Sequence, residues 1–226
     1  GCSLDLLSEG VMKTTRLAEE INERAGRRQV EVIDIGGGLP VNFDSDEVRP
    51  TFHEYAERLR EKSPELFNGT YRVRTEFGRS VLAKNGFMAS RVEYTKRSGD
   101  RQIAITHAGA QVAARTVFMP DYWRIRISAH APDGSLKSGE TIGQDIAGPL
   151  CFAGDMTGSD RELPLLNPGD YVVLHDTGAY YFSNPFFYNA LPAPAVYGAA
   201  PGQDGSVDFE CWRQQQSMDD MLAVIG

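Results

Sequence analysis

Four short segments of this 226-residue chain hold residue types that could do chemistry. Gly36-Gly37-Gly38 follows a β-branched run, and three glycines let backbone N–H groups converge on an anion without side-chain obstruction. The same residues serve equally as a tight strand-to-loop turn. Their spacing is neither a dinucleotide fingerprint nor a P-loop, since no Lys-Ser or Lys-Thr follows. Glu76-Phe77-Gly78-Arg79 ends a second run with a carboxylate and a guanidinium separated by glycine. That pair suits a ligand at the carboxyl end of an α/β sheet, or a surface ion pair beside a turn. Gly148 to Asp155 is a Gly/Pro-flanked loop bearing Cys151, which is either an accessible thiol or a small buried hydrophobe. His175 to Tyr181 presents the Tyr180 phenol after a small-residue turn, or packs its rings in a core.

Two kinds of element must position these segments. Residues 1–82 alternate helix and strand. Leu7, Val11, Leu17, Ala18 and Ile21 lie close to helical spacing, with Ala25-Gly26 as the stop. Val30 to Ile35 reads as a strand. A helix follows Pro50, with Phe52, Tyr55 and Leu59 on one face and a Glu54–Arg58 pair on the wet side. A second strand runs from Tyr71 to about Thr75. This is an α/β pattern. Two strands and two helices cannot cover both faces of a parallel sheet, so this stretch is expected to be the end of a larger α/β unit.

Residues 83–226 are expected to be β-rich. Strand-like runs are Val81–Leu82, at the junction, then Met88–Tyr94, Arg101–Thr106, Trp123–Ser128 and Tyr171–Leu174. Turns are expected at Ser98-Gly99-Asp100, Pro132-Asp133-Gly134 and Asn167-Pro168-Gly169-Asp170. The tail from Gln214 to Ile225 returns to helical spacing.

Composition removes several function classes. Twenty-three basic against 31 acidic residues give a net charge of −8, which argues against a nucleic-acid partner. No apolar run reaches the roughly 18 residues of a membrane span. Cys2, Cys151 and Cys211 have no zinc spacing and make no disulfide framework, so no metal site is expected. With no charged-then-apolar leader, a cytoplasmic setting is expected.

Taken in order, Asp34-Ile35-Gly36-Gly37-Gly38, Glu76-Phe77-Gly78-Arg79, the Cys151 to Asp155 segment and Gly178-Ala179-Tyr180 resemble the alanine-racemase-like (fold-type III) pyridoxal-phosphate decarboxylases of diaminopimelate, ornithine and arginine. Arg213 to Leu222 also resembles that family's closing segment. The resemblance implies α/β plus all-β architecture: the C-terminal end of a cofactor-binding (β/α)8 barrel, then a β-sandwich or barrel-like domain. It also implies a homodimer with shared active sites, a small amino-acid substrate and pyridoxal 5'-phosphate as cofactor. The family's Schiff-base lysine lies on an earlier barrel segment. That segment, of the same parent chain or a second chain, is therefore an expected partner, and this chain alone is expected to be inactive. None of Lys13, Lys62, Lys84, Lys96 and Lys137 falls in a matching motif.

Roles follow from the resemblance, residue by residue. Gly36, Gly37 and Gly38 would donate to the cofactor phosphate, with the backbone around Gly78 and Arg79 completing the cradle and Tyr180 adding a contact. Glu76 would hold the pyridine nitrogen protonated. Cys151 would reach a partner subunit's site and return a proton to the substrate carbon. Arg79, Arg115, Phe152 and Asp155 are the substrate-binding candidates. Arg115 falls where diaminopimelate decarboxylases keep an arginine for the distal carboxylate, and it also reads as a solvent-facing loop residue. Met119 replaces the tyrosine four residues on.

Three departures from the pattern are informative. Phe77 replaces a proline of the family word, which is a backbone variation. Phe152 replaces the acid that grips the substrate's distal ammonium, and His107 stands where an acid is common. Two lost acids argue against a simple diamino-acid substrate. The competing reading is a catalytically silent relative acting through a dimer-type protein interface. Retention of Glu76, Arg79, Cys151 and Tyr180 favours an enzyme.

Overall fold

Ser3 accepts a hydrogen bond from the Leu6 amide and starts helix α1 (Leu4–Ala25), and Gly26 ends it at φ 60°. The computed structural model describes residues 2–226, which divide into a unit ending at Gly86 and a unit running Phe87–Gly226. The buried stripe of α1 is Ser8, Val11, Thr15 and Ala18. Ser8 and Thr15 can sit there because their hydroxyls donate to the carbonyls of Asp5 and Val11, both at 3.0 Å. Leu17 and Ile21, expected on the apolar face, are instead exposed. Leu17 lies two positions past Thr15, about 200° around the helix.

Strands β1 (Val32–Asp34) and β2 (Arg72–Arg74) pair in parallel, Val32 opposite Arg72 and Asp34 opposite Arg74. Helix α2 (Phe52–Lys62) lies between them in sequence, as a parallel crossover requires. Tyr55 and Leu59 of α2 join Val11, Ala18, Ile33 and Leu39 in one core. The expected Glu54–Arg58 pair does not form. Glu54 instead closes a capping box with Thr51, while Arg58 pairs with Glu61 at 3.2 Å. The expected strand at Val81–Leu82 is a short helix, α3 (Arg79–Leu82), with both apolar side chains about half exposed.

The second unit is built on six strands: β3 (Met88–Ser98), β4 (Arg101–Thr106), β5 (Ile127–His130), β6 (Thr141–Ala147), β7 (Met156–Pro164) and β8 (Tyr171–Leu174). Their order is β5-β8-β3-β4-β6-β7, and only β4–β6 is parallel. Irregularities at Val92/Tyr94 and between Gln144 and Ala147 increase the twist. The two ends of the sheet therefore approach one another. Arg161 of β7 donates from Nη2 to the Ile125 carbonyl at 2.9 Å across that seam. Burial, with Arg124 nearby, lowers its guanidinium to about 10. The result is one curled, nearly closed mixed sheet, the barrel-like form of the expectation.

The β3–β4 hairpin turns where expected, with Ser98 opposite Arg101 and Gly99 at φ 60°. The expected strand from Trp123 starts only at Ile127. The Tyr122 and Trp123 amides still donate to the Met119 carbonyl, so the chain is turning there. Helix α4 (Ala110–Phe118) interrupts the β-rich stretch and was not anticipated. After the sheet come a separate antiparallel ribbon, β9 (Val196–Pro201) with β10 (Val207–Arg213), and helix α5 (Met218–Ile225). The Ser217–Asp220 capping box starts α5, and Met221 is its buried residue.

Candidate functional site

In the first unit, the loops after β1 and β2 lie side by side because the two strands are parallel. The Ile35 amide donates to the Arg74 carbonyl at 3.0 Å, and the Glu76 amide donates to the Gly36 carbonyl at 2.9 Å. Gly36 and Gly38 have φ of 68° and 83°, a region that disfavours side chains. Gly37 is glycine for another reason: a Cβ there would lie 2.5 Å from the Glu76 carbonyl oxygen. The Gly36 amide is taken by Asp34 Oδ1 at 2.8 Å, an Asx turn. Among the described residues no hydrogen bond engages the Gly37 or Gly38 amides. Two amides, rather than three, are thus available to an anion.

Glu76 is exposed, and Gly78 stands at the start of α3, followed by Arg79. Phe77 holds this loop down. Its ring packs edge-on against Phe52 at 4.9 Å and Tyr55 at 6.2 Å between centroids. The residue that departs from the family word is therefore an anchor onto α2.

In the second unit, Cys151 is exposed in the loop joining β6 to β7. Its amide donates to Asn189 Oδ1 at 2.9 Å. Asp155, a substrate-binding candidate, is 3% exposed. Its two carboxylate oxygens accept from the amides of Ala110 at 2.6 Å and Leu150 at 2.7 Å. It thereby ties the start of α4 to the Cys151 loop. Gly109 and Gly148 crowd this carboxylate so closely that neither has room for a Cβ. In this chain the Asp155 carboxylate acts as a buried brace between α4 and the Cys151 loop.

Phe152 belongs to a ring of four aromatics. It stacks on Phe118 at 5.8 Å, and Phe118 meets Phe186 edge-on at 5.3 Å. Phe186 stacks on Tyr188 at 5.7 Å, and Tyr188 returns to Phe152 at 5.5 Å. Arg115, one turn before Phe118 on α4, lies over Tyr180 at 4.8 Å and Trp123 at 5.4 Å. This placement departs from the solvent-facing reading. Tyr180 has φ 66°, and its neighbour Tyr181 shares a 2.9 Å hydrogen bond with Thr116 of α4. His107 contacts Glu93 at 2.9 Å and is exposed.

The site residues thus form two sets, Gly37, Gly38, Glu76, Gly78 and Arg79 in one unit and Arg115, Cys151, Phe152 and Tyr180 in the other. The structure adds Phe118, Phe186 and Tyr188 as ring neighbours of Phe152, and Trp123 as a neighbour of Arg115. The signal for α4 was present: Ala110, Ala113 and Val117 have helical spacing and are all buried. Among the described residues no group of three or more His, Cys, Asp or Glu could hold a metal, and no helix is long and apolar enough to cross a membrane.

Residues 27–178 match the pyridoxal-dependent decarboxylase family, C-terminal sheet domain. Diaminopimelate decarboxylase of Escherichia coli (strain K12) is 31% identical over 208 residues, covering 87% of this chain and 48% of its own length. That of Methanothermobacter thermautotrophicus is 29% identical over 210 residues, covering 91% and 46%. The chain spans about half the length of these relatives. The structure of Helicobacter pylori diaminopimelate decarboxylase complexed with L-lysine superposes with a TM-score of 0.80 at 23% identity, covering 98% of this chain and 51% of that one. Vibrio vulnificus lysine/ornithine decarboxylase complexed with cadaverine gives 0.71 at 24%, covering 84% and 48%. At those identities the two structures establish the fold.

Proposed function

Because the chain belongs to the pyridoxal-dependent decarboxylases, through their C-terminal sheet domain, we propose that it forms part of an enzyme that removes carbon dioxide from an amino acid. The observation that carries this reading is the paired loop at the carboxyl ends of β1 and β2. There Gly37 leaves room for no side chain, and the Gly37 and Gly38 amides have no protein acceptor among the described residues. Such a cradle fits a phosphate. The Gly78 and Arg79 backbone adjoins it in sequence after Glu76.

Pyridoxal phosphate, when bound, supplies the sink for the electrons released as carbon dioxide leaves. This chain's residues would bind and orient the cofactor and move a proton. The Gly37 and Gly38 amides would bind the phosphate, and Tyr180 keeps the phosphate contact that the family resemblance implies. The Glu76 carboxylate would face the pyridine nitrogen and hold a proton there. The Cys151 thiol would return a proton to the substrate carbon as a general acid. Arg115 binds a substrate carboxylate with its planar fork. Gly36 and Asp155 leave the ligand-binding set and become positioning residues, because their polar groups are already engaged. The reading includes a Schiff-base lysine outside these 226 residues, a homodimer and a cytoplasmic setting.

The test is the mass and absorption spectrum of the natural protein with pyridoxal phosphate, before and after borohydride reduction. The expected result is a cofactor band that reduction fixes to a lysine outside this sequence. A protein that contains this chain and binds no reducible cofactor would overturn the reading in favour of a silent, partner-binding relative.

A further inference from the structure

We propose that the seam between β5 and β7 is a binding site for a phosphate group, free or as a monoester, held by Arg124 and Arg161. Neither residue has a part in the decarboxylase reading, and the site stands without it. Strands β5 and β7 end the order β5-β8-β3-β4-β6-β7 and do not pair with each other. A cavity of about 400 Å³ opens along them, within the size range of small-molecule sites. Ile127 and Leu163 give it apolar wall, and Ser128 and His175 line it as a pair that shares a 2.7 Å hydrogen bond. Three arginines line it as well, Arg124, Arg126 and Arg161.

Only Arg126 is neutralised, by the buried Asp176 at 3.3 Å. Arg161 is half-buried, spends Nη2 on the Ile125 carbonyl and forms no ion pair among the described residues. Its Nε is buried without an acceptor. Arg124 makes neither hydrogen bond nor ion pair among the described residues. Burial, and then the like charge of Arg124, bring the Arg161 guanidinium down to about 10, so it stays charged at neutral pH. Asp160 and Glu162 also line the cavity, but they flank Arg161 on β7, where side chains alternate between faces. Arg161 stands opposite the buried Gln144, and Glu162 stands opposite Gly143. Both acids reach over Gly143, where an added Cβ would meet Asp160 Oδ1 and lie 3.6 Å from Glu162 Oε1. Neither acid forms an ion pair with Arg124 or Arg161 among the described residues. Two guanidiniums thus face one cavity without a counter-charge. A phosphate monoester carries close to two negative charges at neutral pH and three acceptor oxygens, which matches two donor forks. A carboxylate brings a single charge and leaves one guanidinium unmatched.

The experiment is a calorimetric titration of the natural full-length protein, loaded with pyridoxal phosphate and freed of excess so that its cofactor site is filled. The probes are glycerol 3-phosphate, inorganic phosphate, acetate and chloride at one ionic strength. We expect saturable binding of phosphate, tighter than acetate by about tenfold or more, as one further charge-assisted hydrogen bond provides. Tighter binding of the ester identifies an organic phosphate as the ligand, and equal binding identifies the free ion; both support the site. Arg124→Gln changes an exposed side chain with no partner to lose. It should keep the thermal midpoint measured without phosphate and weaken phosphate binding by about tenfold or more. Arg161→Lys keeps a charge without the fork and should weaken it as well. No heat beyond the chloride blank overturns the inference, as does acetate binding as well as phosphate. Phosphate binding that Arg124→Gln leaves unchanged marks an adventitious ion only and also overturns it. If the protein takes up no cofactor, the decarboxylase reading fails, and Arg124→Gln still separates this site from the Gly37–Gly38 loop.

Discussion

Asp155 shows how a residue that looks chemical can be structural. Its carboxylate receives two buried amides, from Ala110 and Leu150, and is crowded by Gly109 and Gly148. Asp155→Asn keeps the size but turns an NH2 group toward one of those amides. The expected cost is about 2–3 kcal/mol, the range for a buried charge-assisted hydrogen bond, seen as a lower thermal midpoint. Cys151 has the opposite profile, exposed and carrying no brace. Cys151→Ala should leave the midpoint unchanged and slow turnover by about 10²–10⁴-fold, the usual range for a lost general acid. Product analysis should then show diversion to oxidised or transaminated forms, whereas clean product at normal rate would remove the thiol from the mechanism. Both residues were visible in the sequence as members of one loop. Their division into buried brace and exposed thiol was not, because the burial of Asp155 is set by Ala110 and Gly109, more than forty positions away.

Single elements carry two further expectations. Gly37→Ala would drive a methyl to 2.5 Å from the Glu76 backbone carbonyl, with no flexible side chain to yield. The two loops should separate, and pyridoxal-phosphate affinity should fall by about tenfold or more, the loss of roughly one well-made hydrogen bond. Fluorescence titration with the cofactor measures this. An alanine variant with unchanged affinity would show that the cradle lies elsewhere. Helix α2 supplies a pH test. The Thr51 amide and hydroxyl hold Glu54 below the usual glutamate range. A lowered folded value means the cap contributes above the ordinary pKa and is lost as pH falls through the lowered one. Amide exchange in the first turn of α2 should therefore quicken relative to the rest of the helix on acidification, and Glu54→Gln should abolish that dependence. Here the Thr51-x-x-Glu54 pattern was legible. The i,i+4 reading of Glu54 with Arg58 competed with it and lost, because the capping partner is closer and satisfies a helix-end amide.

At the scale of the whole molecule the two units differ in self-sufficiency. The second closes most of a six-stranded sheet around its own core, with Val92, Ile146, Val172 and Leu174 fully buried. The first has a two-stranded parallel sheet whose second strand is exposed at all three residues, and α1 leaves Leu17 in solvent. Parallel strands need cover on both faces, and two strands do not make a stable sheet alone. Phe87–Gly226 produced alone should unfold cooperatively in calorimetry. Residues 1–86 alone should show no cooperative transition, and a sharp one would mean that the unit needs no further strands.

The amino-acid sequence by itself determined the alternation of helix and strand in the first unit, the turns with left-handed glycines and the family words. Each is written in local spacing, residue type or backbone freedom. It also determined that Phe152 lacks a charge. Only the tertiary structure decided which atoms are still available. It tied an Asp155 oxygen to the Ala110 amide, and it gathered Phe118, Phe152, Phe186 and Tyr188 from three separate stretches. Hydrogen-bond occupancy and burial depend on partners distant in the chain, and no local pattern encodes them.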